Sequence, residues 1–143
     1  MNNSKKTTIE IILNGNINEL VNLTLALDQF CADANINDLV ENQINLVLEE
    51  LYTNTANYGF VGITNGKVII NLLSINEQLE IRYQDNGIAF NPLEMAEPDL
   101  MLNVDDRPIG GLGVFFVKAM TDNVSYSRVG NWNQLVMHKR LFN

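Results

Sequence analysis

The sequence predicts an α/β chain of the α+β kind, with strands and helices following one another in a single domain over residues 1–143. A chain of this length with 46% hydrophobic residues can bury one proper core. β-Branched or alternating segments occur at the start, middle and end of the chain, the period of strands. Between them lie stretches whose apolar residues recur at steps of three and four, the period of helices.

The first strand is Thr7 to Leu13 (TTIEIIL), closed by the turn-forming Asn14-Gly15-Asn16. A helix follows from Ile17 to Ala34, with Leu20, Thr24, Leu27, Cys31 and Ala34 on one face. Cys31 on that stripe reads as a small core residue rather than a reactive thiol. Asn37 or Asp38 caps a second helix that runs through Glu50 towards Gly59, with Val40, Ile44, Val47, Leu51 and Tyr58 as its buried stripe. Lys67 to Ile75 and Gln78 to Tyr83, separated by Asn76-Glu77, read as an antiparallel pair. From Asp85 to Pro108 the chain carries Pro92, Pro98 and Pro108 and many acidic residues, the composition of a long binding loop or lid. Gly110-Gly111-Leu112-Gly113 then opens a third helix. Strands Val124 to Arg128 and Gln134 to Arg140 close the chain, joined by a turn over residues 129–133.

Seventeen acidic against nine basic residues give a formal charge of -8, the wrong sign for a domain that neutralises nucleic-acid phosphates or an anionic membrane surface. No apolar run approaches the roughly 18 residues of a membrane span, so a soluble cytoplasmic protein is expected. With one cysteine, Cys31, and one histidine, His138, neither an internal disulfide nor a Cys/His metal cluster can be assembled. A P-loop is absent as well, and so is a dinucleotide fingerprint between a strand and a helix.

Three features carry possible chemistry. The pattern Glu-x-x-x-Asn occurs three times in a chain with 22 asparagines, at Glu10, Glu41 and Glu50, so spacing alone decides nothing. On a wheel of about 100° per residue with Val40 at zero, Glu50 and Asn54 fall at about -80° and -40°, on one margin of the buried stripe. Glu41 and Asn45 fall at about 100° and 140° and are expected in solvent, as is Glu49 at about 180°. The second feature, Asp85-Asn86-Gly87, reads by itself as a turn after a strand; the apolar Ile88-Ala89-Phe90 after it weakens that reading, and an Asp at a buried strand end can bond a donor on a flat ligand. The third, the glycine run before the third helix, permits close packing and also leaves helix-start N–H groups open to an anion.

Taken in order, Glu50-Leu-Tyr-Thr-Asn54, Asp85-Asn-Gly-Ile-Ala-Phe90 and Arg107-Pro-Ile-Gly-Gly-Leu-Gly113 resemble the N, G1 and G2 boxes of the GHKL (Bergerat-fold) ATP-binding superfamily. In particular they resemble its small bacterial branch, the anti-sigma factor serine/threonine kinases. The resemblance implies a two-layer sandwich in which helices cover one face of a mixed, largely antiparallel sheet, with ATP between the helices and a lid. It makes Glu50 the general base, Asn54 the holder of Mg²⁺ and Asp85 the reader of the adenine amino group. Gly87 matches the G1 glycine, Gly110, Gly111 and Gly113 lie on the phosphate side, and Arg107 is placed to reach a phosphate. The expected partner is a small STAS-type antagonist, with a sigma factor as a possible second one, and a homodimer is expected. Tyr58 stands where related proteins often have histidine, and the turn Gly130 to Asn133 matches the last box too loosely to receive a role. Two other readings stand beside the kinase: a nucleotide-gated binding module that transfers no phosphate, and the ATP-binding domain of a two-component histidine kinase.

Overall fold

The computed structural model describes residues 5–94 and 111–141. Five strands form one sheet: β1 (Thr7–Leu13), β2 (Val68–Ile75), β3 (Gln78–Asp85), β4 (Asn123–Val129) and β5 (Trp132–Arg140). Their order is β1-β2-β3-β5-β4, and each of the four pairings is antiparallel, so the described sheet is wholly rather than largely antiparallel. Among the described residues three α-helices accompany it: α1 (Leu20–Ala34), α2 (Asp38–Asn54) and α3 (Gly111–Met120).

Alternation along the strands explains how sheet and helices meet. In β2, Val68, Ile70, Leu72 and Ser74 are buried, and in β3 so are Leu79, Ile81, Tyr83 and Asp85. These residues face Leu23, Leu27, Phe30 and Cys31 of α1 and Ile44, Val47, Leu48, Leu51 and Tyr52 of α2 in one core. The other sheet face carries Glu80, Arg82 and His138, and His138 Nδ1 lies 2.7 Å from Asn123 Oδ1, a surface role.

Both helices are rotated from the faces expected of them. On α1 the core side is centred on Leu23, Leu27 and Phe30, and Thr24 points outward to within 3.4 Å of Asn45 on α2. On α2 the centre moves towards Leu48 and Tyr52, the side on which Asn45 meets Thr24 of α1. Asn45, Glu41 and Glu49, expected in solvent, are half-buried there instead, and Asn45 Nδ2 donates to Glu49 Oε1 at 3.0 Å. Tyr58, assigned to the buried stripe, is 47% exposed.

Two caps define α2. Asn37 Oδ1 accepts from the Val40 N–H at 2.9 Å at its start. At its end the α-helical bonding widens into a π-turn over Thr55–Gly59, in which the Phe60 N–H reaches back to the Thr55 carbonyl at 3.1 Å. The β4–β5 connection is tighter than expected, a Gly130-Asn131 hairpin with Gly130 at φ +59°. Trp132 and Asn133 therefore belong to β5 and not to a turn.

Candidate functional site

The wider helical bonding after Asn54 turns Tyr58 and Gly59 towards the end of β3, where they rim a cavity of about 360 Å³ with Asn54, Thr55 and Leu51. Opposite them stand Tyr83, Asp85, Ile88 and Phe90, and Tyr126, Asn133 and Leu135 close it from β4 and β5. A larger hollow of about 510 Å³, between the α1–α2 connection and the β2–β3 hairpin, contains none of the three motifs.

Asp85 ends β3 on the core face and is only 9% exposed. Its Oδ1 accepts from the Gly87 N–H and from Asn133 Nδ2, each at 2.9 Å. Burial pushes the carboxyl up from its ordinary range, and the hydrogen bonds from Asn133 and Gly87, the Arg128 charge and the Thr55 hydroxyl oppose that rise. Oδ2 receives no hydrogen bond of comparable geometry among the described residues. Beneath it, Tyr83 and Thr55 share a 2.8 Å hydrogen bond, and the Thr55 hydroxyl also donates to the Leu51 carbonyl at 3.0 Å.

Gly87 is required by a close approach. A Cβ there would lie 2.6 Å from the Gly59 carbonyl oxygen, which itself accepts the Ile88 N–H at 3.0 Å. The strand exit is thus pressed against the π-turn, and no side chain fits between. Asn86 faces away and fastens the turn, accepting from the Lys67 N–H at 2.7 Å and donating to the Asn65 carbonyl at 3.1 Å.

Of the residues singled out by sequence, Asn54 and Asp85 line the same cavity, and Gly87 does not line it but packs against Gly59 and Asp85, which do. Glu50 lies one turn before Asn54, half-buried on the flank of α2 away from α1, and does not line the cavity. Gly111 and Gly113 are in the first turn of α3, as expected of a glycine-opened helix. Arg107, Gly110 and most of the expected lid, residues 95–108, lie outside the described residues.

Asn133 is the site residue that sequence reasoning missed. It stands directly opposite Asp85 in the β3–β5 register. The available signal was alternation: counting back by two from the apolar Met137 and Leu135 puts Asn133 on the core face. Reading residues 129–133 as one long turn hid it.

The donor set suits a planar base. The Asp85 carboxylate, set in a mostly apolar cavity between Tyr58, Ile88, Phe90 and Leu135, can accept from an exocyclic amino group through the oxygen that Gly87 and Asn133 leave free. The Asn54 amide oxygen is a hard ligand suited to Mg²⁺, which also draws on phosphate oxygens and water. Among the described residues no cluster of three or more His, Cys, Asp or Glu side chains could hold a metal by itself.

This fold and site define an α+β domain of the Bergerat ATP-binding class. The model of the histidine kinase-like ATPase domain matches residues 14–139, and the chain belongs to that family. Serine-protein kinase RsbW of Listeria monocytogenes is 28% identical over 85 residues, covering 57% of this chain and 54% of that protein. Serine/threonine-protein kinase BtrW of Bordetella bronchiseptica is 24% identical over 94 residues, covering 66% of each. The chain thus spans about half the length of the RsbW relatives it matches, 54%. Among solved structures, the RsbU and RsbW domains of a Mycobacterium tuberculosis protein superpose with a TM-score of 0.67 at 12% identity, over 94% of this chain and 32% of that one. The histidine kinase domain of a blue-light activated kinase from Erythrobacter litoralis gives 0.57 at 17%, over 83% of this chain and 61% of that one. At such identities the likeness is one of fold. Among the described residues no helix is long and apolar enough to cross a membrane.

Proposed function

We propose that the protein is an ATP-dependent serine/threonine kinase of the anti-sigma factor type, which phosphorylates a small STAS-type antagonist in a partner-switching system. The observation that carries the reading is the buried Asp85, held through Oδ1 on the wall of an apolar cavity that Asn54 also lines. The serine kinase names of the relatives support it.

In this reading Asp85 accepts from the adenine amino group and Asn54 holds Mg²⁺ on the phosphates. The N-terminal turn of α3, with Gly111 and Gly113 and preceded by Gly110 and Arg107, receives the anionic end. Glu50 takes the proton of the partner's seryl or threonyl hydroxyl as its oxygen bonds to the γ-phosphorus and the bond to the departing ADP oxygen breaks. A homodimer in the cytoplasm completes the proposal, with a sigma factor as a possible second partner.

The test is incubation of the purified protein with Mg-ATP and STAS domains from its own genome, read by phosphoprotein mass. An added phosphoryl mass on one serine or threonine of the partner, absent with Glu50→Gln, is the expected result. ATP binding without transfer to any partner would replace the kinase with a nucleotide-gated binding module.

A further inference from the structure

Asn133 uses every hydrogen-bonding position of its amide. Nδ2 donates to Asp85 Oδ1 at 2.9 Å and to the Ile88 carbonyl at 2.7 Å, while Oδ1 accepts from the Phe90 N–H at 3.1 Å and the Tyr126 hydroxyl at 2.5 Å. The backbone decides which way the amide faces. A carbonyl only accepts and an N–H only donates, so turning the amide over would set acceptor against acceptor at Ile88 and donor against donor at Phe90. Nδ2 must therefore face Asp85, and it meets Oδ1 beside the Gly87 N–H. Two donors saturate that oxygen, and both favour the ionised carboxylate, whose other oxygen then only accepts.

We propose that Asn133 is a positioning residue that sets which base the cavity accepts: it holds Asp85 with Oδ2 as a pure acceptor, so the site takes a 6-amino purine and rejects a 6-oxo purine. The inference rests on the nucleotide-binding reading above and extends it from Asp85 to the strand beside it. Adenine offers an amino donor at position 6, whereas a 6-oxo purine offers an acceptor there. Acceptor facing acceptor leaves two desolvated groups unpaired, which discriminates more strongly than a missing contact.

The groups packed around Asp85 leave this polarity in place. On its own strand Tyr83 stays a neutral phenol, raised well above its ordinary range by burial. On β4, Arg128 Nη1 donates to the Gly87 carbonyl at 3.0 Å, and Tyr126 gives its proton to Asn133. From the π-turn Thr55 contributes a hydroxyl and Tyr58 a phenol at the rim. With Asn133 removed, the largest of the influences opposing burial is gone, and Asp85 should protonate at higher pH. A proton on Oδ2 would reverse what it can read.

The experiment measures ATP and inosine triphosphate binding by calorimetry for the parent, Asn133→Ala and Asn133→Thr, and follows the Asp85 carboxyl carbon by NMR titration without nucleotide. The parent is expected to prefer ATP by at least about tenfold. Asn133→Ala should bring the two nucleotides towards parity and move the Asp85 titration to higher pH. Asn133→Thr, whose single hydroxyl proton cannot serve both Asp85 and Ile88, should give an intermediate shift in both readouts. A folded Asn133→Ala protein with the parent's preference and titration overturns the proposal. If the alanine variant does not fold, the threonine variant decides alone, and values equal to the parent's overturn it. A parent that binds both nucleotides equally overturns this inference only, and one that binds neither overturns the nucleotide-binding reading with it.

Discussion

Helix α2 carries the same Glu-x-x-x-Asn spacing twice, and its two flanks use it differently. On the α1 flank, Asn45 contacts Thr24 and donates to Glu49, and Glu41 is held above its ordinary pKa by burial and then by Asp28. Asn45 of that pair bridges the two helices, while Glu41 faces the like charge of Asp28 across them. On the other flank no described hydrogen bond engages the Glu50 or Asn54 side chain, and Asn54 opens onto the cavity beside the Asp85 wall. Residue type and spacing are equal, so the difference lies in what covers each flank. A polar residue with its partners inside the chain is structural, whereas Asn54, with none among the described residues and facing a cavity, is available to a ligand.

The largest effect that could break this comparison is on phosphoryl transfer. Glu50→Gln is expected to lower the rate by about 10² to 10⁴-fold, the usual contribution of a positioned base, with ATP affinity little changed. Glu41→Gln should leave both alone, and an equal loss from the two variants in a phosphoprotein assay would erase the distinction between the flanks. Next in size, Asp85→Ala should weaken ATP binding by about tenfold or more, about 1 to 3 kcal/mol, by calorimetry. For the parent, affinity should also fall as pH drops through the Asp85 folded pKa, which lies above 3.8, because only the ionised form accepts the amino group.

The asparagines sharpen the contrast at smaller scale. Asn54→Ala should reduce the Mg²⁺-dependent part of ATP affinity with little change in melting temperature. Asn45→Ala should do the reverse, lowering stability by about 1 kcal/mol on thermal unfolding without touching affinity. Smallest is Glu41→Gln on stability. Because the folded pKa of Glu41 is raised, the parent is favoured below the unfolded value, near 4.5, and loses that contribution as pH rises through the folded one. The glutamine variant should therefore be slightly more stable at neutral pH, by about 0.5 kcal/mol or less after solvent screening, with the gain vanishing in acid.

Most of the element order was legible in the sequence, since strand alternation and helical period are local signals. Asp85 was legible as a strand end, whereas the apolar Ile88-Ala89-Phe90 that suggested burial there is exposed, with Ile88 and Phe90 on the cavity rim. What escaped depended on neighbours. A wheel anchored on Val40, which is only half-buried, could not show that α1 covers the Leu48 and Tyr52 side, so the stripe came out displaced and Glu41, Asn45 and Glu49 were left in solvent. Asn133 escaped because 22 asparagines make any one of them unremarkable, and its meaning comes from a strand nearly fifty residues earlier.

That separation shapes how the site comes into being. Strands β2 and β3 form one hairpin and β4 and β5 another, each joined by a short turn, whereas the seam between β3 and β5 must close a long stretch of chain. Asp85 and Asn133 sit on opposite sides of that seam, in direct register. A slip of one residue there would carry one of the two to the outer face of the sheet and Gln84 or Gln134 inward, so neither hairpin alone contains the proposed base-reading pocket. Ligand competence in the proposed site is therefore a property of the whole sheet in its correct registry, and a chain with both hairpins formed but the seam misaligned would retain its strands and lose the pairing of Asp85 with Asn133.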